Sequence, residues 1–404
     1  MRENFKRIVL ENGFTIIFEK RETPSVSVAF AVRNGGANET CEEKGISHYI
    51  EHMLYKGTPT RNVDQIAFDI EKKGGILNGF TSEEITAYWC KMPSKHLKVA
   101  LEILGDMVKN PLFDEKELDK ERKVILEEIK MYRDNPRDHA FESINKALYE
   151  GTMGMFLAGT PETMNSFDKK KMVEKFKEVY TPNNMILSVV GDANFDELVD
   201  FVKENFGDEK GVVPEREIEL KNDIVMETRK DIDQANLVFG FHTPLASDSL
   251  SSAAKVLMGI LIGGMSSRLF KEVREKRNLA YAIKGFPDIG KRFSRCLIYA
   301  GTMKENVEKI KKVILEEFGK VSEGLEEKEL NEVKEQMIGS HQISLEDSQD
   351  QMVHLLGAEI EGNAKDFYDF EKNIELVKLE DVKVLAKKVA EGDYSFYALV
   401  PEDK

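Results

Sequence analysis

The sequence predicts an α+β protein made of two related domains, each a mixed sheet with helices packed on one face. Three observations carry that expectation. A chain of 404 residues exceeds what one hydrophobic core usually supports, and 41% apolar content is enough to build two. Segments recur at a nearly constant offset: Lys116-Glu117-Leu118 returns 212 residues later as Lys328-Glu329-Leu330. Finally, each half alternates strand-like runs with paired amphipathic stretches of helical period.

In chain order, the strand-like run SVSVAFAV at 25–32 is answered by 235–241. The stretch from Ile46 to Tyr55 reads as a helix with two faces, Ile46, Ile50, Met53 and Leu54 on one side and His48, Glu51, His52 and Tyr55 on the other. Helical stretch 95–109 is answered by 307–320, and 111–129 by 323–341. Within the helix expected at 114–132, Leu118, Arg122, Ile125, Ile129 and Tyr132 form the stripe that faces the core. The run NMILSVVGD at 184–192 is echoed by YSFYALVPE at 394–402. A charged, Gly- and Pro-punctuated joint at 206–221 divides the halves, giving domains 1–207 and 223–404 with a linker at 208–222.

Composition excludes several function classes. With a net charge of -15 and no basic stripe, the chain lacks the means to neutralise nucleic-acid phosphates. No apolar run approaches bilayer-spanning length, so no membrane partner is expected, and the opening MRENFKRIVLENG lacks the apolar stretch of a signal peptide. A cytoplasmic location is the expectation. Cys41, Cys90 and Cys296 are odd in number and widely spaced, as ordinary thiols are.

The chemistry concentrates in His48-Tyr49-Ile50-Glu51-His52. On a helix of 3.6 residues per turn, His48 and His52 lie one above the other and Glu51 sits beside them. A chance H-x-x-E-H match somewhere in such a chain has a probability of roughly one in a hundred, so the surrounding pattern matters. That pattern separates packing from chemistry, which a pair of core histidines would not do. Two imidazoles leave a catalytic zinc site short of its usual third protein ligand. On helix 114–132, Glu121 and Glu128 flank the buried stripe while Glu127 lies almost opposite it, so the first two outrank the third. The second half has GILIGGM at 259–265 in place of the histidine motif, so only the first half can carry the metal.

These residues resemble the pitrilysin family of inverted-motif zinc peptidases, and within it the branch of the mitochondrial processing peptidase beta subunit. The run GISHYIEHMLYKGT at 45–58 carries the likeness, with Glu128 in ERKVILEEI 76 residues after His52. The opening NGFTIIFEKRETPSVSVAFAVRNGGANE, the central NGFTSEEITAYW and the later SSRLFKEVREKRNLAY extend it over nearly the whole chain. The resemblance implies mostly antiparallel sheets, zinc ligands at His48, His52 and Glu128, a catalytic base at Glu51, and a supporting acidic residue at Glu121. It also implies a sheet edge at 78–88 that accepts a substrate peptide as an added strand, with Asn78, Gly79 and Phe80 binding it. Arg274 and Tyr281 match a pair directed at the substrate or the developing oxyanion.

The implied function is a zinc endopeptidase acting on extended peptides, with a zinc-bound water activated by Glu51. The implied assembly is a homodimer, or else a heterodimer with an inactive homologous subunit. Two departures adjoin the implied substrate groove. Met153 and Met155 interrupt the usual pattern at 151–160, and Gly79 stands where alanine is usual. A non-catalytic peptide-binding subunit and a hydrolase of another bond are the alternative classes. The intact His48, Glu51, His52 and Glu128 argue against the first, and the edge-strand segment argues against the second.

Overall fold

In the computed structural model, which describes residues 4–402, two sheets organise the chain. The first has six strands in the order β1-β2-β6-β3-β5-β4: β1 Phe5–Val9, β2 Thr15–Lys20, β3 Ser25–Val32, β4 Ile76–Thr81, β5 Thr86–Pro93 and β6 Met185–Gly191. The second has five in the order β7-β11-β8-β10-β9: β7 Ile224–Arg229, β8 Ala235–His242, β9 Ala280–Ile289, β10 Ser294–Thr302 and β11 Ser395–Pro401. Each sheet contains one parallel pair, β2 with β6 and β7 with β11, and every other pairing is antiparallel. Leaving β1 aside, the two orders superimpose strand for strand. The duplication read from sequence is thus a duplication of topology.

In the first unit, α1 Ile46–Leu54 and α3 Leu97–Lys109 pack against the sheet, and α4 Glu115–Asp134 joins α1. Val26, Val28 and Phe30 of β3 point into this core with Ile46, Ile50, Met53, Leu104 and Met107, as the alternation of a strand requires. The opposite residues Ser27, Ala29 and Ala31 are equally buried, because α12 Ser348–Glu361 lies along β3 and β6. Ser27 and Ser348 share a hydrogen bond of 2.9 Å, and Glu359 pairs with Arg7 and Arg33 at 2.7 Å each. In the second unit, α5 Pro136–Leu148 takes the matching place against β8 and β11. Ser395 of β11 donates to the carbonyl of Ala147 there at 2.8 Å.

The chain packs into two units that divide it otherwise than the contiguous domains expected from sequence. The first unit comprises 1–129, 157–217 and 344–367, and the second 130–156, 218–343 and 368–404, with the extreme ends lying outside the described residues. The chain passes between units at 217/218, inside the expected linker, but also at four other points. Each half of the sequence sends one helical segment to the other half's sheet. Burial on both faces is the physical reason: strands as apolar as SVSVAFAV and ANLVFGFH need a helix on each side. Among the described residues no helix is long and apolar enough to cross a membrane.

Candidate metal centre

The site is built on α1. Gly45 opens the helix with φ of +93°, and a Cβ there would lie 2.5 Å from the carbonyl oxygen of Ala158, so only glycine fits. The free N–H groups of the first turn are met by Glu39, whose carboxylate accepts from Gly45 N at 2.9 Å and Ser47 N at 2.8 Å. Burial pushes the Glu39 carboxyl up to about 7, against the pull of the fully buried Lys44 and those two N–H donors. Tyr49 then ties α1 to α4 by donating to the carbonyl of Leu118 at 2.5 Å.

From this anchored helix His48 and His52 project side by side, with ring centroids 4.6 Å apart. The Nε2 atoms of both lie 3.7 Å from Glu128 Oε2 on α4. One ligand atom from each of the three residues falls within 4.8 Å of the others, the only such group of histidine, cysteine and carboxylate side chains among the described residues. Glu127 is exposed and takes no part.

The donor set fits a divalent cation. Burial, with His52 alongside, drives the His48 pKa down to about 3, so its imidazole stays neutral and keeps a lone pair for a metal. His52 Nδ1 donates to Glu121 Oε2 at 3.1 Å; because an ionised carboxylate only accepts, that bond puts the proton on Nδ1 and leaves Nε2 free. Burial would raise Glu121, but the hydrogen bonds from His52 and Lys56 outweigh it and hold the carboxyl below its usual range. Burial pushes Glu128 up, with His52 only partly opposing it. A cation among the three residues would relieve the cost of ionising Glu128 there.

Glu51 is buried beside the ligand set, and burial raises its carboxyl above the usual range. Its Oε2 accepts from Thr81 Oγ1 of β4 at 2.6 Å. On the same edge strand, Asn78 is exposed with its Oδ1 accepting from Gly79 N, and Phe80 is half-buried. Gly79 runs so close to α1 that a Cβ would meet Tyr55 Oη at 2.4 Å, Ala87 O at 2.9 Å and Glu51 Oε1 at 3.2 Å. The glycine that departs from the family pattern is thus dictated by its neighbours. Among the described residues strand β4 pairs only with β5, which leaves its other edge without a strand partner.

Arg274 and Tyr281 belong to the second unit. Arg274 lies in a π-helical segment, Phe270–Lys276, and its guanidinium stacks on the rings of Phe270 at 4.9 Å and Tyr281 at 5.0 Å. Tyr281, on edge strand β9, is 84% exposed, so the pair presents a cation and a phenol to solvent. Glu39, Lys56 and Thr81 escaped the sequence reading. Thr81 follows Phe80 in the quoted NGFTSEE run, and Lys56 is the only basic residue directly after the histidine helix; neither spacing reveals a partner on another element.

Residues 15–160 match the insulinase family, peptidase family M16, and residues 166–337 match the peptidase M16 inactive domain. An uncharacterized zinc protease of Bacillus subtilis is 34% identical over 98% of both chains, and one of Rickettsia felis is 34% identical over 83% of both. The crystal structure of a protease from Helicobacter pylori superimposes with a TM-score of 0.90 at 21% identity, covering 98% of this chain and 99% of that one. The peptidase M16 inactive domain from Pseudomonas fluorescens superimposes at 0.88 and 19% identity over 99% and 98%. The chain belongs to peptidase family M16, the pitrilysin family of zinc metallopeptidases.

Proposed function

We propose that this chain is a zinc-dependent endopeptidase that hydrolyses peptide bonds in extended segments. The observation that carries the reading is the convergence of His48, His52 and Glu128 within 4.8 Å, with a buried carboxylate on the same helical turn. Relatives named as zinc proteases support zinc as the ion, held by those three residues. When bound, zinc makes water a nucleophile near neutral pH and polarises the scissile carbonyl.

The chain's own groups do the rest. Thr81 fixes Glu51 Oε2, which leaves Oε1 to take a proton from the attacking water and return it to the departing amine nitrogen. Glu121 holds His52 in the tautomer and orientation a ligand needs. The open edge of β4 accepts a substrate strand through main-chain hydrogen bonds, so unfolded segments are preferred over folded proteins and few side chains need to be read. Arg274 and Tyr281 are assigned to the substrate or the developing oxyanion. A homodimer is the assembly proposed first, and a heterodimer with an inactive homologue second; light scattering distinguishes either from a monomer.

Glu51→Gln tests the mechanism. The variant is expected to keep one zinc per chain while cleavage of an unstructured peptide falls about 10²- to 10⁴-fold. Full activity in that variant would remove Glu51 from the chemistry.

A further inference from the structure

The hydroxyl of Tyr55 is buried and has no hydrogen-bond partner among the described residues, at a position where such a group is costly. Tyr55 follows Glu51 by four residues, so the two side chains stack on one face of α1. The ring rests against Tyr88, with centroids 5.9 Å apart, while the Tyr88 hydroxyl is already engaged with Tyr180 at 2.7 Å. Tyr55 Oη and Glu51 Oε1 both crowd the point where a side chain on residue 79 would begin, at 2.4 and 3.2 Å from it. Gly79 keeps that space open for the hydroxyl.

We propose that Tyr55 is a positioning residue for Glu51, its hydroxyl engaging Oε1 during the reaction, and that the absent side chain of Gly79 leaves open the space this contact needs. The inference rests on Glu51 being the base. A phenol suits the task because it donates to an ionised carboxylate and accepts from a protonated one. Thr81 holds Oε2, and the Tyr55 hydroxyl, unengaged at rest, is the group placed to meet the working oxygen and limit rotation of the carboxyl group. Phenylalanine would fill the same volume and offer neither half of the exchange.

Tyr55→Phe, Gly79→Ala, the double variant and Glu51→Gln, each assayed for zinc content, thermal midpoint, kcat and KM on one extended peptide, test the idea. Tyr55→Phe is expected to keep one zinc per chain and an unchanged KM while kcat falls roughly 10- to 100-fold, the range of one hydrogen bond to a charged group. The double variant should lose no more kcat than the worse single one, since both disturb one contact. If Gly79→Ala fails to fold, Tyr55→Phe alone decides. A Tyr55→Phe enzyme within twofold of the parent kcat overturns the proposal, and an unchanged or raised thermal midpoint beside it would mark the hydroxyl as a tolerated orphan. Active Glu51→Gln would instead sink the underlying reading of the base.

Discussion

Lys56 never touches the three candidate ligands, yet its Nζ lies 2.8 Å from Glu121 Oε1 while Glu121 Oε2 holds His52. The chain of contacts runs from ammonium to carboxylate to imidazole, joining α4 to α1 and to the turn just after it. It keeps Glu121 ionised although that residue is only 7% exposed, and an ionised Glu121 is what fixes the proton on His52 Nδ1. Lys56→Met is therefore expected to weaken zinc binding about 10- to 100-fold, read by competition with a chelator, with the fold intact. Glu128→Gln should abolish stoichiometric zinc, because it removes the carboxylate facing both Nε2 atoms. Unaltered affinity in the lysine variant would mean that His52 is oriented by packing alone.

At the scale of elements, helix α12 is held to the first sheet by a buried carboxylate between two arginines. Glu359 also accepts from Ala364 N at 3.0 Å, and its side chain is 1% exposed. Burial acts to raise its carboxyl, but the hydrogen bonds from Arg7, Arg33 and Ala364 prevail and hold it below the usual range. A folded-state pKa below the unfolded one gives stability that is complete above the unfolded value, near 4.5, and is lost as pH falls through the folded value. Thermal unfolding between pH 7 and pH 3 should show that loss, and Glu359→Gln should flatten it while costing about 2–4 kcal/mol at neutral pH, since it strands two arginines. An unchanged acid profile in the variant would assign the loss to other carboxylates.

At the scale of the molecule, the exchange of α5 and α12 makes each unit depend on sequence from both halves. A fragment of residues 1–222 retains every candidate ligand but lacks the 344–367 segment that covers Ser27, Ala29 and Ala31 of β3. It is expected to lose near-ultraviolet circular dichroism and to aggregate through the exposed sheet face, whereas co-expression with residues 223–404 should restore a soluble complex. A fragment that folds cooperatively alone would show that the second sheet face needs no cover. The same dependence explains why the duplicated sheets were legible and their helical cover was not. Strand patterns repeat at a fixed offset, but nothing in α12 states which of two sheets it will join.

By itself the sequence determined what is local. The two faces of α1, the histidine pair with its glutamate, the marginal position of Glu121 and Glu128 on α4 and the repeated strands all follow from period and spacing within single elements. Only the tertiary structure decided contacts between residues far apart in the chain. Glu39 capping α1, Thr81 on Glu51, Lys56 on Glu121, and Tyr55 against Gly79 each join different elements, and Arg7 meets Glu359 across 352 residues. Hydrogen bonds and close packing depend on positions in space, and periodicity along one helix or strand carries no information about which other element will arrive beside it.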